Sequence, residues 1–273
     1  MLYNIVGFLV INLSAKQSLA FVRQFRLPYV TRLSSTSVNP AKTGTLNEQT
    51  QTTSNSESIA LFRKEYSQKG LDETDSTVSS GPIALFQQWL NDAIKSKTLE
   101  PNAMCLSTCV NNVPSARYVL LKEFNERGFV WYTNYNSRKS SELNHNPHAA
   151  ITFWWGELER QVRIEGIVEK VSAEESNEYF NVRPRGSQIG AWSSNQSSTI
   201  ESREALENQE LNMIKKFEQE STIPRPPHWG GWRLIPKRIE FWKGRQSRLH
   251  DRLVFERESY DPHAKWTMKR LQP

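Results

Sequence analysis

The 273-residue sequence holds two cysteines, four methionines and no long apolar run. Each scarcity excludes something. Cys105 and Cys109 are too few for a disulfide framework, and their C-x3-C spacing has no second Cys or His pair beside it to complete a zinc site. They read as buried, inert thiols of a reducing compartment. The apolar stretch Leu2 to Leu13 falls short of the ~20 residues that a membrane span needs. It also lacks the basic flank that opens a secretory signal. The chain contains no internal repeat, no G-x-G-x-x-G, no G-x-x-x-x-G-K-[ST] and no G-x-S-x-G. A nucleotide cofactor is therefore not held by a glycine-rich loop. His145 and His148 (H-N-P-H) have no third ligand at metal spacing and read as loop residues.

Acid is scarce at one end only. Before Glu48 there is no carboxylate, while Lys16, Arg23, Arg26, Arg32 and Lys42 place a charge of +4 on residues 1–56. The remaining 217 residues carry only +2 of the formal +6, which disfavours a general nucleic-acid binder. The leader is basic, Ser-rich and interspersed with Leu and Phe. It resembles a mitochondrial presequence, with a disordered tail on a cytoplasmic protein as the alternative. A domain boundary is expected there, giving a leader (1–56) and one folded domain (57–273).

What is abundant is aromatic: nine Trp, eight Tyr and twelve Phe. Side chains with an apolar body and a polar edge suit half-buried pockets and interfaces. Helices are expected over Ile59 to Ser67 and Pro82 to Ile94, the latter with Ile83, Phe86, Leu90 and Ile94 at helical spacing behind an N-terminal Pro. Gly70 to Gly81 reads as a polar connection. Five strands follow, at Ala103 to Val110, Ala116 to Lys122, Gly128 to Thr133, Ala149 to Trp154 and Arg160 to Val171, separated by short turns. Capping boxes at Ser172/Glu175 and Ser198/Glu201 open two helices, Ala173 to Phe180 and one reaching about Glu218. Strands at Arg238 to Trp242, Ser247 to Glu256 and near Trp266 to Leu271 close the chain. Connections this short fit antiparallel pairing, so the class is α+β, an antiparallel barrel with flanking helices.

Cations stand where a strand should bury apolar groups. In Ser247 to Glu256, period two puts Arg248, His250 and Arg252 on one face, either a solvated edge or an anion site. Arg117 and Lys122 bracket an apolar run, Arg138 and Lys139 lie among serines, and Gln161 and Arg163 share a face with Glu165. Arg183-Pro184-Arg185-Gly186-Ser187 and Gln196-Ser197-Ser198 flank helix ends. Guanidinium groups and hydroxyls beside helix starts are the donors that phosphate recognition requires. There are enough such clusters for two phosphorylated ligands.

Arg117 to Lys122 (R-Y-V-L-L-K), Trp131 to Asn134 (W-Y-T-N), Ser137 to Lys139 (S-R-K), Glu159 to Arg163 (E-R-Q-V-R), Arg183 to Trp192 (R-P-R-G-S-Q-I-G-A-W), Asn195 to Ser198 (N-Q-S-S), Glu240 to Trp242 (E-F-W) and Arg248 to Arg252 (R-L-H-D-R) resemble, in order, the pyridoxine (pyridoxamine) 5'-phosphate oxidase family. The resemblance extends from about Arg63 to Pro273. It implies an FMN-binding split barrel, homodimeric, each flavin site built from both subunits. It further implies FMN contacts from Arg117, Tyr118, Val119, Leu120, Leu121, Lys122, Tyr132, Thr133, Arg138, Lys139, Gln161, Gln196, Ser197, Trp242 and Arg252. The substrate's phosphate ester would meet Lys122, Tyr179, Arg183, Ser187, Arg248, Leu249 and His250, with Arg63 and Tyr66 added from the amino-terminal segment.

The implied reaction is oxidation of pyridoxamine or pyridoxine phosphate by O2 to pyridoxal phosphate. Arg248 and His250 are the catalytic candidates, and no metal, nucleic acid or membrane is implied. Another flavin reductase on the same barrel, or a non-catalytic pyridoxal-phosphate carrier, are the alternatives. One departure from the family pattern is the turn Val110 to Pro114, which is short and lacks glycine.

Overall fold

The computed structural model describes residues 59, 62, 64–67 and 69–273. The presequence-like leader and Arg63 lie outside them. Among the described residues of Ile59 to Ser67 there is no α-helix; only a single turn, closed by Phe62 N–H to Ile59 O at 3.1 Å, interrupts irregular backbone.

Six helices and nine strands follow: α1 (Ser76–Ser79), α2 (Pro82–Lys95), β1 (Ala103–Val110), β2 (Val113–Leu120), β3 (Glu123–Asn125), β4 (Gly128–Asn134), α3 (Arg138–His145), β5 (His148–Trp155), β6 (Arg160–Lys170), α4 (Ala173–Asn181), α5 (Arg185–Ser193), α6 (Arg203–Lys216), β7 (Trp229–Lys243), β8 (Asp251–Glu256) and β9 (Thr267–Leu271). The described strands form one antiparallel sheet in the order β2-β1-β5-β6-β7-β4-β3, with β8 and β9 added beside β7. Its ladder is an open path rather than a closed ring.

The short turn is accounted for by its backbone. Asn111 and Asn112 both adopt positive φ, 52° and 63°, and join β1 to β2 with Val110 opposite Val113. A two-residue hairpin of this hand matches strand twist, and Asn tolerates it without glycine. The register then runs unbroken to Leu106 opposite Arg117.

β7 is the axle of the sheet. Its first residues pair with β4 and its last with β8 along one edge, while β6 runs along the other. The change of partner coincides with a register shift opposite Glu165 and Gly166 and with Pro236. Proline has no N–H to donate, and a bulge bends and twists the strand where pairing would otherwise be lost.

α2 covers the core with Leu85, Phe86, Trp89, Leu90 and Ala93. Phe86 is fully buried among Phe124, Phe129, Phe153 and Trp155, each within 6.2 Å of its ring centroid. A second, smaller core of Phe180, Ile189, Phe217, Ile223 and Trp229 packs α4, α5 and α6 against the start of β7.

Three expectations are corrected. The helix expected from the Ser198/Glu201 box starts later, because Ser202 accepts the Ala205 N–H and caps α6. Arg185 to Ser193, where no element is expected from the pattern, is helix α5. The strand expected from Ser247 begins only at Asp251: Gln246–Arg248 is a single 3-10 turn with Ser247 and Arg248 at φ 55° and 64°. That turn breaks the period of two, so Arg248 and His250 do not share a strand face with Arg252.

Candidate functional site

β2, β4, α3 and the α4–α5 region converge on an open cavity of about 690 Å³. It is lined by Arg117, Tyr118, Val119, Leu120 and Lys122 from β2 and its exit, and by Tyr132, Thr133 and Lys139. Tyr179, Arg183, Ser187 and Gln196 complete the lining residues that the sequence singles out. Leu121 is not among them: just past the end of β2, it is buried in the core. Arg138 also turns away, exposed and donating to Glu142 at 2.8 Å. Ser197 is exposed at φ 75° and lies off the lining.

The polar groups are pre-positioned by one another. Lys139 Nζ donates to Gln196 Oε1 at 2.7 Å and to Thr133 Oγ1 at 3.1 Å, and Thr133 donates to the same Gln196 oxygen at 2.9 Å. Burial, reinforced by the charge of Arg117, lowers the Lys139 amine from 10.5 to about 8. Arg117 is clamped by Thr108 and Ser115 and ion-paired with Glu142 at 2.7 Å. Burial also lowers the Arg183 guanidinium, whose Nη1 is buried without a hydrogen-bond partner. Among the described residues Lys122, Lys139 and Arg183 make no ion pair.

A cavity wall with unneutralised cations, an orphaned guanidinium nitrogen and hydroxyl donors fits phosphorylated ligands, FMN included. Tyr132 and Tyr179 stack at 4.0 Å beside Trp229, and burial pushes the Tyr132 phenol up to about 12. Gly231 permits this packing, since a Cβ there would lie 2.8 Å from the Tyr132 ring.

The other predicted residues gather elsewhere. Trp154, Gln161, Trp242 and Arg252 are opposite one another on β5, β6, β7 and β8. His250 packs on Trp242 at 4.7 Å, and Tyr66 meets both rings edge-on at 5.4 and 5.7 Å. Leu249 is exposed on the connection beside them. Arg245 N–H donates to His250 Nδ1 at 3.1 Å, which leaves the ring's proton on Nε2. Burial, then the charge of Arg248, lowers the His250 pKa against the opposing Asp251.

Trp229 opens β7 at the cavity, whereas Gln161, Trp242, Arg248, His250 and Arg252 are not among the residues that line it.

Sequence reasoning missed three residues that organise these groups. Glu142 joins Arg117 and Arg138, and its spacing of four from Arg138 was the available signal. Glu240, almost fully buried, accepts from Arg163, Arg238 and Arg252 at 2.9, 3.1 and 2.8 Å. Burial pushes its carboxyl up, but the Arg252 hydrogen bond and the charge of Arg163 outweigh this and lower it. Trp229 underlies Arg183.

The family described as "Pyridoxamine 5'-phosphate oxidase" matches residues 90–209, and the "Pyridoxine 5'-phosphate oxidase C-terminal dimerisation region" matches 229–273. The pyridoxine/pyridoxamine 5'-phosphate oxidase of Nostoc punctiforme is 53% identical over 216 residues, 79% of this chain and 98% of that protein. That of Burkholderia multivorans is 52% identical over 216 residues, 79% of this chain and 99% of that protein.

Among solved structures, PhzG from Burkholderia lata, in complex with tetrahydrophenazine-1-carboxylic acid, aligns with a TM-score of 0.69 at 29% identity. The alignment covers 77% of this chain and all of that one. A pyridoxamine 5'-phosphate oxidase-related, FMN-binding protein from Nostoc punctiforme aligns at 0.56 and 16% identity over 71% of this chain and 98% of that one, a likeness of fold. With half of its 216 aligned residues identical to those relatives across nearly their whole length, the chain belongs to the pyridoxine/pyridoxamine 5'-phosphate oxidase family.

Proposed function

We propose that this chain is an FMN-dependent oxidase that converts pyridoxamine and pyridoxine 5'-phosphates to pyridoxal 5'-phosphate, a final step of B6 cofactor synthesis and salvage. The observation that carries the reading is the cavity in which Lys122, Lys139 and Arg183 have no carboxylate partner among the described residues. Bound FMN would supply acceptance of a hydride from the substrate's C4' and transfer of the electrons to O2, giving hydrogen peroxide. Arg117, Lys139, Thr133 and Gln196 would hold its phosphate side. Lys122, Tyr179, Arg183 and Ser187 would hold the substrate's phosphate ester. Each charge-assisted contact contributes about 1.5–3 kcal/mol. For the amine, water hydrolyses the oxidised C4' imine and releases ammonia.

Gln161, Trp242, Arg252, Arg248 and His250 would face the flavin and C4' from a second copy of the chain. They do not line the cavity of their own chain, and the match of 229–273 to a dimerisation region supports this reading. The sheet of each chain would curl into the split barrel. Arg248 and His250 would orient C4'. No helix among the described residues is long and apolar enough to cross a membrane. For residues 1–56 we propose a targeting leader; a reporter fused to them that stays in the cytoplasm excludes import into mitochondria.

The test uses the purified full chain. Flavin absorbance, a dimeric mass, and pyridoxal phosphate and peroxide formed from pyridoxamine phosphate under air are expected. A colourless protein that cannot be reconstituted with FMN overturns the reading.

A further inference from the structure

Arg183 lies between α4 and α5, lines the cavity and forms no ion pair among the described residues. Its position is set by rings. The guanidinium carbon sits 4.6 Å from the Trp229 ring centroid and 5.7 Å from that of Phe180, and Nη1 is buried without a partner. Trp229 is itself fixed: it is 6% exposed, near-parallel to Tyr132 and Tyr179 at interplanar angles of 11° and 8°, and edge-on to Phe180. Lys122 Nζ stands 5.9 Å over the Tyr179 ring. Two cations that face one cavity thus rest on one set of near-parallel rings. A flexible arginine with no acid to hold it would otherwise sample many rotamers, and ordering it would weaken binding of an anion.

We infer that Trp229 is a positioning residue for the substrate's phosphate ester, acting through Arg183: its ring holds the guanidinium at the cavity wall and fixes its spacing from Lys122. The inference deepens the proposed function and rests on that reading for the identity of the ester.

Full-length, FMN-loaded protein is compared with Trp229→Leu, Trp229→Phe, Arg183→Lys and the double variant Trp229→Leu/Arg183→Lys. The measurements are KM and kcat for pyridoxamine phosphate, equilibrium binding of pyridoxal phosphate, retained flavin and Tm. Trp229→Leu should raise KM and the pyridoxal phosphate Kd about tenfold, a loss the size of a desolvated cation–π contact. kcat should change far less, and flavin should be retained. Trp229→Phe, which keeps an aromatic face, should recover most of the affinity. Trp229→Leu should add little to Arg183→Lys.

Additive losses in the double variant, or flavin lost in step with substrate affinity, overturn the inference. If Trp229→Leu fails to fold, Trp229→Met, which fills more of the volume without an aromatic face, carries the same comparison with and without Arg183→Lys. Wild-type protein that binds pyridoxal phosphate in a Trp229-dependent manner but oxidises no pyridoxamine phosphate overturns the proposed reaction alone. Protein that binds no phosphate ester overturns both.

Discussion

The cavity and the row of residues across β5 to β8 hold their cations in opposite ways. In the row, Arg163, Arg238 and Arg252 converge on the buried Glu240, and Glu165 and Glu256 add further ion pairs at 2.9 to 3.3 Å. In the cavity, Glu142 neutralises Arg117, while Lys122, Lys139 and Arg183 have no carboxylate among the described residues. The first arrangement is neutralised within the chain and stabilises it. The second leaves charge unsatisfied, so its stabilisation has to come from a bound anion. Regions of equal basicity in the sequence thus serve different ends, and the position of the carboxylates decides which.

The sharpest way to break this contrast is to remove Glu240. Glu240→Ala would leave three arginines facing one another without a counter-charge. Breaking a buried ion pair costs about 3–5 kcal/mol, and partial exposure of these arginines favours the lower figure. At about 2–4 °C per kcal/mol for a domain of this size, Tm should fall by about 6–12 °C. The wild-type contribution has a defined pH sign. Because the folded Glu240 carboxyl lies below 4.5, its contribution is present above 4.5 and is lost as pH falls through the folded value. Thermal melts of wild type and variant should therefore converge in acid; melts equally separated at every pH would refute the assignment.

A cavity substitution should do the reverse. Lys139→Met removes a desolvated amine and should leave Tm unchanged or raised. It should weaken FMN about ten- to hundredfold, the loss of one charge-assisted phosphate contact. Flavin titration of the apoprotein, with melts of the same samples, separates the two effects. A destabilised Lys139→Met that still holds flavin as wild type does would erase the difference between the regions.

A smaller effect comes from titrating the same amine. In the free cavity Lys139 loses its proton near pH 8, and a bound phosphate favours the charged form. Affinity should be flat below pH 8 and fall above it, by at most about tenfold per pH unit. Lys139→Arg should hold it flat to higher pH. A wild-type affinity unchanged between pH 7 and 10 would exclude Lys139 from the phosphate site.

How much of this was legible follows the range of the interactions. β1 and α2 were readable because alternation and helical spacing are local, and their observed limits match the expected ones within a residue. α5 was not, since Pro184, Gly186 and Gly190 suggest a loop while burial of Ile189 against Phe217 and Trp229 decides for helix. The Ser247/Arg248 turn was hidden because residues with positive φ can interrupt a strand pattern without a glycine to mark them. Cavity membership of Arg117, Lys139 and Arg183 was suggested by residue type and order. The carboxylates that neutralise some cations come from distant elements: Glu142 of α3 meets Arg117 of β2, and no spacing rule reveals Glu240 opposite Arg163.

The smallest expected effect concerns His250, whose setting combines both regions' logic. It is an uncharged group kept so by burial and by a neighbouring cation, with Asp251 pulling the other way. Its Nδ1 accepts from Arg245 N–H, so protonation of the ring must also break that hydrogen bond. The folded value lies below 6.5, so any stability from the neutral ring is full above pH 6.5 and lost as pH falls through the folded value. If His250 acts as a neutral Nε2–H donor toward the substrate, the acid limb of kcat/KM should lie below pH 6.5. Arg248→Gln should move that limb upward, but short of 6.5, because burial is the larger cause and stays in place. A limb above 6.5, or one that Arg248→Gln moves downward, would show that the rate-limiting proton belongs to another group.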